Sequence, residues 1–158
     1  MKNQNLLNQV DPDLRRLFVA VDARVATEIL PSTIRTKEQQ LDYFTRGVSK
    51  TMDSKHLIVP GVRDFSEAVD AGPYPMEWPK EFDWSSIQGL QADEIAPRIR
   101  KWAAEYWKAW ARLYHYAGIV RTVAEDLKIG VRFGGNWDGD FDLKDQNFYD
   151  AVHYEKLT

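Results

Sequence analysis

Between Asp93 and Leu127 apolar residues recur three or four positions apart: Ile95, Ile99, Trp102, Ala103, Tyr106, Trp110, Leu113, Tyr114 and Ala117, then Val123, Ala124 and Leu127. That period belongs to a helix, and it predicts one long helix or two joined near Gly118. At this spacing Trp102, Tyr106, Trp110 and Tyr114 are expected in the core, with Trp107 off the stripe and exposed. Shorter segments carry the rest of the fold. Asp11-Pro12-Asp13 opens a helix with Leu14, Leu17, Phe18 and Val21 on one face. A β-rich stretch from Glu28 to Ile34 is broken by Pro31, and Thr36-Lys37-Glu38-Gln39 has the form of a capping box. In the helix it opens, Leu41, Phe44 and Val48 share a face. Glu67-Ala68-Val69-Asp70, Val131-Arg132-Phe133 and Val152-His153-Tyr154-Glu155 read as strands. Helices and antiparallel strands in separate blocks predict an α+β fold: a single domain over 1–158, with a small antiparallel sheet flanked by helices.

Composition narrows the chemistry. The 158 residues fit one domain with a real core, and no repeat or linker divides them. There is no cysteine, which excludes disulfide scaffolds, thiolate metal sites and cysteine nucleophiles. Lys+Arg number 21 against Asp+Glu 24, with a pI near 5.6, so a nucleic-acid partner is not expected. No apolar run approaches the roughly 18 to 20 residues that cross a bilayer, so no membrane insertion is expected. The N-terminal Met1 to Asp13 lacks the apolar region of a secretory signal, which predicts a chain made in the cytoplasm.

Histidine chemistry is confined to His56, His115 and His153. Two imidazoles and a carboxylate can hold zinc and leave one position for water, whose lowered pKa then supplies hydroxide at neutral pH. A further carboxylate near that water would act as base and then as acid. By spacing alone His56 and His153 are either such ligands or two separate surface or capped histidines. His115 lies on the aromatic stripe and reads as structural. Asp138 to Asp145 has the acidity of a calcium loop, but Leu143 and Tyr149 stand at its sixth and twelfth positions, so it is expected to be a solvated loop.

Four blocks in order resemble one family. They are Arg35-Thr36-Lys37-Glu38-Gln39-Gln40; Gly47 to Thr51 with Ser54-Lys55-His56; Glu67-Ala68-Val69-Asp70 followed by Pro73-Tyr74-Pro75; and Phe133-Gly134-Gly135-Asn136-Trp137-Asp138 with Asp150-Ala151-Val152-His153-Tyr154-Glu155. Together they resemble the zinc D-alanyl-D-alanine carboxypeptidase (VanY-like) superfamily, in particular its phage endolysin branch of L-alanyl-D-glutamate peptidases. The resemblance implies one zinc per chain on His56, Asp70 and His153, with Asp150 as catalytic acid/base. It implies that Arg35 faces the scissile peptide or a substrate carboxylate, while Ser49, Ser54, Gln39 and Trp137 line the site.

It further implies a monomeric enzyme acting on the peptidoglycan stem peptide, without a separate wall-binding domain, held in the host cytoplasm until holin-type release. A D-Ala-D-Ala carboxypeptidase or dipeptidase and a non-catalytic wall-binding module are the alternatives. Three departures stand out. His56 and Asp70 are 14 residues apart, longer than the compact family form, which makes Asp64 a competitor for the second ligand. Asn136 replaces a common Asp, and Ala151-Val152 replaces Leu-Pro. On an ideal strand Asp150 and His153 would face opposite ways, so the assignment requires a bend between them.

Overall fold

A computed structural model describes residues 1–140 and 149–157. The part of the acidic loop from Phe141 to Phe148, which includes Leu143, lies outside the described residues. Helix α1 spans Pro12–Asp22 and is capped by the Asp11 carboxylate, which accepts from the Asp13 N–H. Strand β1 follows at Thr27–Ile29, and Pro31–Thr33 forms a single 3-10 turn. Helix α2 runs Lys37–Thr45 with both halves of the expected capping box in place. Strand β2 is Ala68–Pro73. Helix α3 is continuous over Ala92–Leu127, 36 residues, and passes through Gly118 without a break. Strands β3 (Val131–Phe133) and β4 (His153–Lys156) complete an antiparallel sheet in the order β1-β2-β4-β3. The fold is α+β in a single small domain.

The sheet has two unlike faces. Val69 and Ala71 of β2 and Tyr154 of β4 point into a core formed with Leu14, Leu17, Phe18 and Val21 of α1 and Tyr116, Val120, Val123 and Ala124 of α3. Because side chains alternate along a strand, Asp70, His153 and Glu155 are left on the opposite face. Their placement follows from register: Asp70 pairs with His153 across β2 and β4, directly opposite and therefore on the same face.

One sequence expectation about burial is corrected, and the shared apolar face after the capping box proves to be exposed. Leu41, Phe44 and Val48 are 55%, 44% and 49% exposed, and the fully buried residue of α2 is Gln40. This helix is anchored by a polar contact, described below, instead of an apolar face. The aromatic stripe of α3 is also not core throughout. Buried positions of α3 begin at Ala109 and continue with Leu113, Tyr116, Val120, Val123 and Ala124, whereas Trp102, Tyr106, Trp110 and Tyr114 are half-buried. Trp107 is exposed, as its position off the stripe predicts.

Candidate metal centre and cleft

Three side chains from separate parts of the chain converge on one buried point. His56 sits in an irregular segment tied to Arg35 by two backbone bonds, Arg35 N–H to the His56 carbonyl and Ile58 N–H to the Arg35 carbonyl. Asp70 comes from β2 and His153 from β4. The His56 Nε2 lies 2.9 Å from His153 Nδ1 and 3.1 Å from Asp70 Oδ1, and His153 Nδ1 lies 3.2 Å from the same oxygen. Asp64 is elsewhere: its carboxylate accepts from the Gly61 N–H in an exposed loop. His115 is exposed on α3, away from the group.

The outer nitrogens decide what the inner ones offer. His56 Nδ1 lies 3.0 Å from the Thr33 carbonyl, which only accepts, so Nδ1 carries the hydrogen. His153 Nε2 lies 3.1 Å from Glu155 Oε2, and the same reasoning puts its hydrogen there. In the neutral ring forms, two bare nitrogen lone pairs and a carboxylate oxygen therefore face one another in a buried space. Such a set demands a cation. Tetrahedral zinc needs ligand atoms roughly 3.3 Å apart, so these three residues fit it with shifts of a few tenths of an ångström. In the metal-free protein a proton takes the place: burial lowers the His153 pKa, but hydrogen bonds to Asp70 and Glu155 outweigh it and raise it to about 9. Asp70 moves the other way. Burial opposes its charge, yet the two histidines hold its carboxyl well below the usual range.

The surrounding contacts fix these groups. Thr33, not singled out in the sequence, is a hub: its hydroxyl accepts from Asp70 N–H at 3.0 Å and donates to the Asp70 carbonyl at 3.1 Å, while its own carbonyl orients His56. Glu155 orients His153 and is itself gripped by Arg132. Burial works against the Glu155 charge, but bonds from His153 and Arg132 bring its pKa down to about 2. A carboxylate behind a ligating imidazole raises its basicity and sets its tautomer. The sequence signal for Glu155 is its place in the last matched block, whereas Thr33 lies outside every block and acts through bonds to a main chain 37 residues away, which leaves none.

A cleft of about 660 Å³ opens over this group, lined by Arg35, Ser49, Ser54, Trp137, Asp150 and other residues. Arg35 reaches Asp70 at 3.5 Å and is held by the Ser32 carbonyl and by Gln40, with Tyr43 under its guanidinium. Gln40 in turn donates to Ser49 Oγ and the Thr51 carbonyl, the polar anchor that replaces an apolar face on α2. Gln39, by contrast, spends its side chain on the capping box at Thr36. Ser54 Oγ accepts from the His56 N–H, and the Trp137 ring lies 5.2 Å from His153.

Asp150 enters the cleft because the chain turns: His153 N–H bonds back to the Asp150 carbonyl at 3.2 Å, which supplies the required bend. Burial, and then the charge of Asp70, push its carboxyl pKa up. Gly134 closes this arrangement from behind. A Cβ there would stand 2.7 Å from the Asp150 carbonyl oxygen and 2.9 Å from His153 Cβ. Gly134→Ala is therefore expected to cost about 1–3 kcal/mol in a urea melt and to weaken metal binding, because the turn must open to admit the methyl.

No family model and no curated protein sequence matches the chain. Among solved structures it is similar to the crystal structure of the Serratia marcescens L-Ala D-Glu endopeptidase ChiX, with 20% identity, a TM-score of 0.60, and coverage of 99% of this chain and 86% of that one. At that identity the likeness is one of fold, and it extends over the full length of this chain.

Proposed function

We infer that the chain is a zinc peptidase that hydrolyses the stem peptide of bacterial peptidoglycan between L-alanine and D-glutamate. Its setting, drawn from the phage branch that the sequence resembles, is host lysis after a holin-type pore admits it to the wall. The observation that carries the reading is the convergence of two imidazole lone pairs and a carboxylate oxygen under a polar cleft, in a fold like that of an endopeptidase for this bond.

When bound, zinc would supply Lewis-acid polarisation of the scissile carbonyl and a water of lowered pKa. Asp150 accepts the proton of the attacking water and passes it to the leaving amine. Arg35 is a permanent cation whose orientation is already set by Ser32, Gln40 and Asp70, so it stabilises charge growing on the carbonyl oxygen at little reorganisation cost. Ser49 and Ser54 offer hydroxyls to the peptide, and Trp137 walls the cleft.

Digestion of purified peptidoglycan tests the bond. New N-terminal D-glutamate is the expected product; free D-alanine would mean a carboxypeptidase, and no new termini would mean a wall-binding module. Elemental analysis should give about one zinc per chain. A stripped preparation with full activity would overturn the metal assignment.

A further inference from the structure

Helix α3 is about 54 Å long, yet its first half supports no core. From Ala92 to Lys108 no residue is buried, so about 25 Å of helix projects from the domain. A strap of chain between Tyr74 and Gln91 lies along it. Trp102 Nε1 donates to the Lys80 carbonyl at 2.7 Å, Arg112 donates to the Pro75 carbonyl at 2.8 Å and pairs with Glu77, and Arg98 reaches the Ser86 carbonyl. Helix and strap share a ladder of rings. Trp84 packs on Phe82, Phe82 on Trp102, Trp102 on Tyr106, Tyr106 on Trp110 and Trp110 on Tyr149, with centroids 5.0 to 6.3 Å apart. The last ring belongs to the chain neighbour of Asp150.

Much of this aromatic surface is in solvent. Trp84 and Trp107 are each 67% exposed and Trp78 is 52% exposed. Exposed indoles on the strap and the projecting helix are the kind of side chain that anchors a ligand. Lys80, Glu81, Asp83, Lys101, Glu105 and Lys108 are interleaved with them and exposed. A second protein surface would have to strip water from these charges, at a cost that a dry apolar contact does not return. A ring face beside charged and polar groups suits a ligand with the same character, a flat C–H face edged by hydroxyls and amides.

Given the peptidase reading, on which this inference rests, such a ligand is always nearby. The alanine of the scissile bond is attached to the glycan strand through a lactyl group, so the sugar backbone lies within about two residue lengths, roughly 7 Å, of the bond to be cut. The ladder begins at the chain neighbour of Asp150 and leads away from it. We propose that the projecting half of α3 and its strap form a docking surface for the glycan strand of peptidoglycan, with Trp84 and Trp107 as sugar-stacking platforms.

The test uses the full chain carrying Asp150→Asn, so that the wall is not consumed. Co-sedimentation with purified sacculi should fall about tenfold or more when Trp84→Ala and Trp107→Ala are added, the loss expected for anchoring aromatics. Chitohexaose, a β-1,4-linked N-acetylglucosamine oligomer, should change the indole fluorescence of the parent and not of the double variant. With Asp150 restored, the double variant should cleave a sugar-free stem peptide at the parent rate and lyse sacculi more slowly. Unchanged sedimentation with no response to chitohexaose would overturn the proposal. So would a concentration-dependent dimer that the double variant dissolves in the absence of any sugar response. If the sugar-free peptide is not cut even by the parent, the peptidase reading fails, while sedimentation and fluorescence still decide the arm.

Discussion

Asp150→Asn should lower kcat on soluble stem peptides by about 10²- to 10⁴-fold, the range lost with a general acid/base, while KM and metal content stay near those of the parent. The substitution keeps size and shape in a turn whose backbone is pinned by Asp150 N–H to the Gly134 carbonyl and His153 N–H to the Asp150 carbonyl, so the ligands should not move. What it removes is the ability to take a proton. In the metal-free protein, burial and the Asp70 charge raise the Asp150 pKa, which brings a carboxylate closer to the working pH of a base. A dication on His56, Asp70 and His153 would oppose the Asp70 contribution and favour ionised Asp150 before attack. Single-turnover rates with zinc measured by elemental analysis check both halves. Parent-like kcat in a zinc-loaded variant would remove Asp150 from the mechanism. Loss of zinc together with activity would make it a structural residue.

The sequence exposes local features well and shared surfaces poorly. The Asp11 cap, the Thr36–Gln39 capping box and the helical period of α3 are all set by residues within a few positions of one another, and all are present, with the choice between one helix and two settled as one. Asp70 and His153 could be paired only through ordered blocks, because the register that sets them opposite joins residues 83 apart in sequence. Burial was harder to read. A helical period looks the same whether the face meets a core or a strap, so the period alone predicts Trp102 and Tyr106 to be more buried than they are. On α2 the apolar positions face outward because Gln40 anchors the helix to Ser49 and Thr51. Gln39 and Gln40 adjoin in sequence, yet a step of one residue turns a helix by about 100°, enough to separate a cap from a cleft contact.

Metal affinity should climb steeply with pH. His153 of the metal-free protein titrates near 9, so at pH 7 zinc must displace its proton. Apparent affinity is then expected to rise about tenfold per pH unit near pH 7 and roughly 50-fold in all between pH 7 and 9, with about one proton released per zinc at the lower pH. Stability follows the same linkage with a definite sign. The folded pKa lies above the unfolded value of 6.5, so the folded chain binds the extra proton. The resulting stabilisation is complete below pH 6.5 and is lost as pH rises to about 9, up to about 3 kcal/mol in the metal-free protein.

Zinc should flatten that decline, since the bound ion replaces the proton. Glu155→Gln discriminates the cause. It keeps an acceptor for His153 Nε2 but removes the charge that helps raise the His153 pKa, so the pH dependence should move to lower pH. Because a carboxylate behind a ligating imidazole also strengthens the metal bond, affinity at high pH should fall about 10- to 100-fold. Calorimetric zinc titrations in buffers of different ionisation enthalpy read the protons directly. An affinity independent of pH between 7 and 9, with no proton released, would mean that His153 is not the residue whose proton the metal replaces.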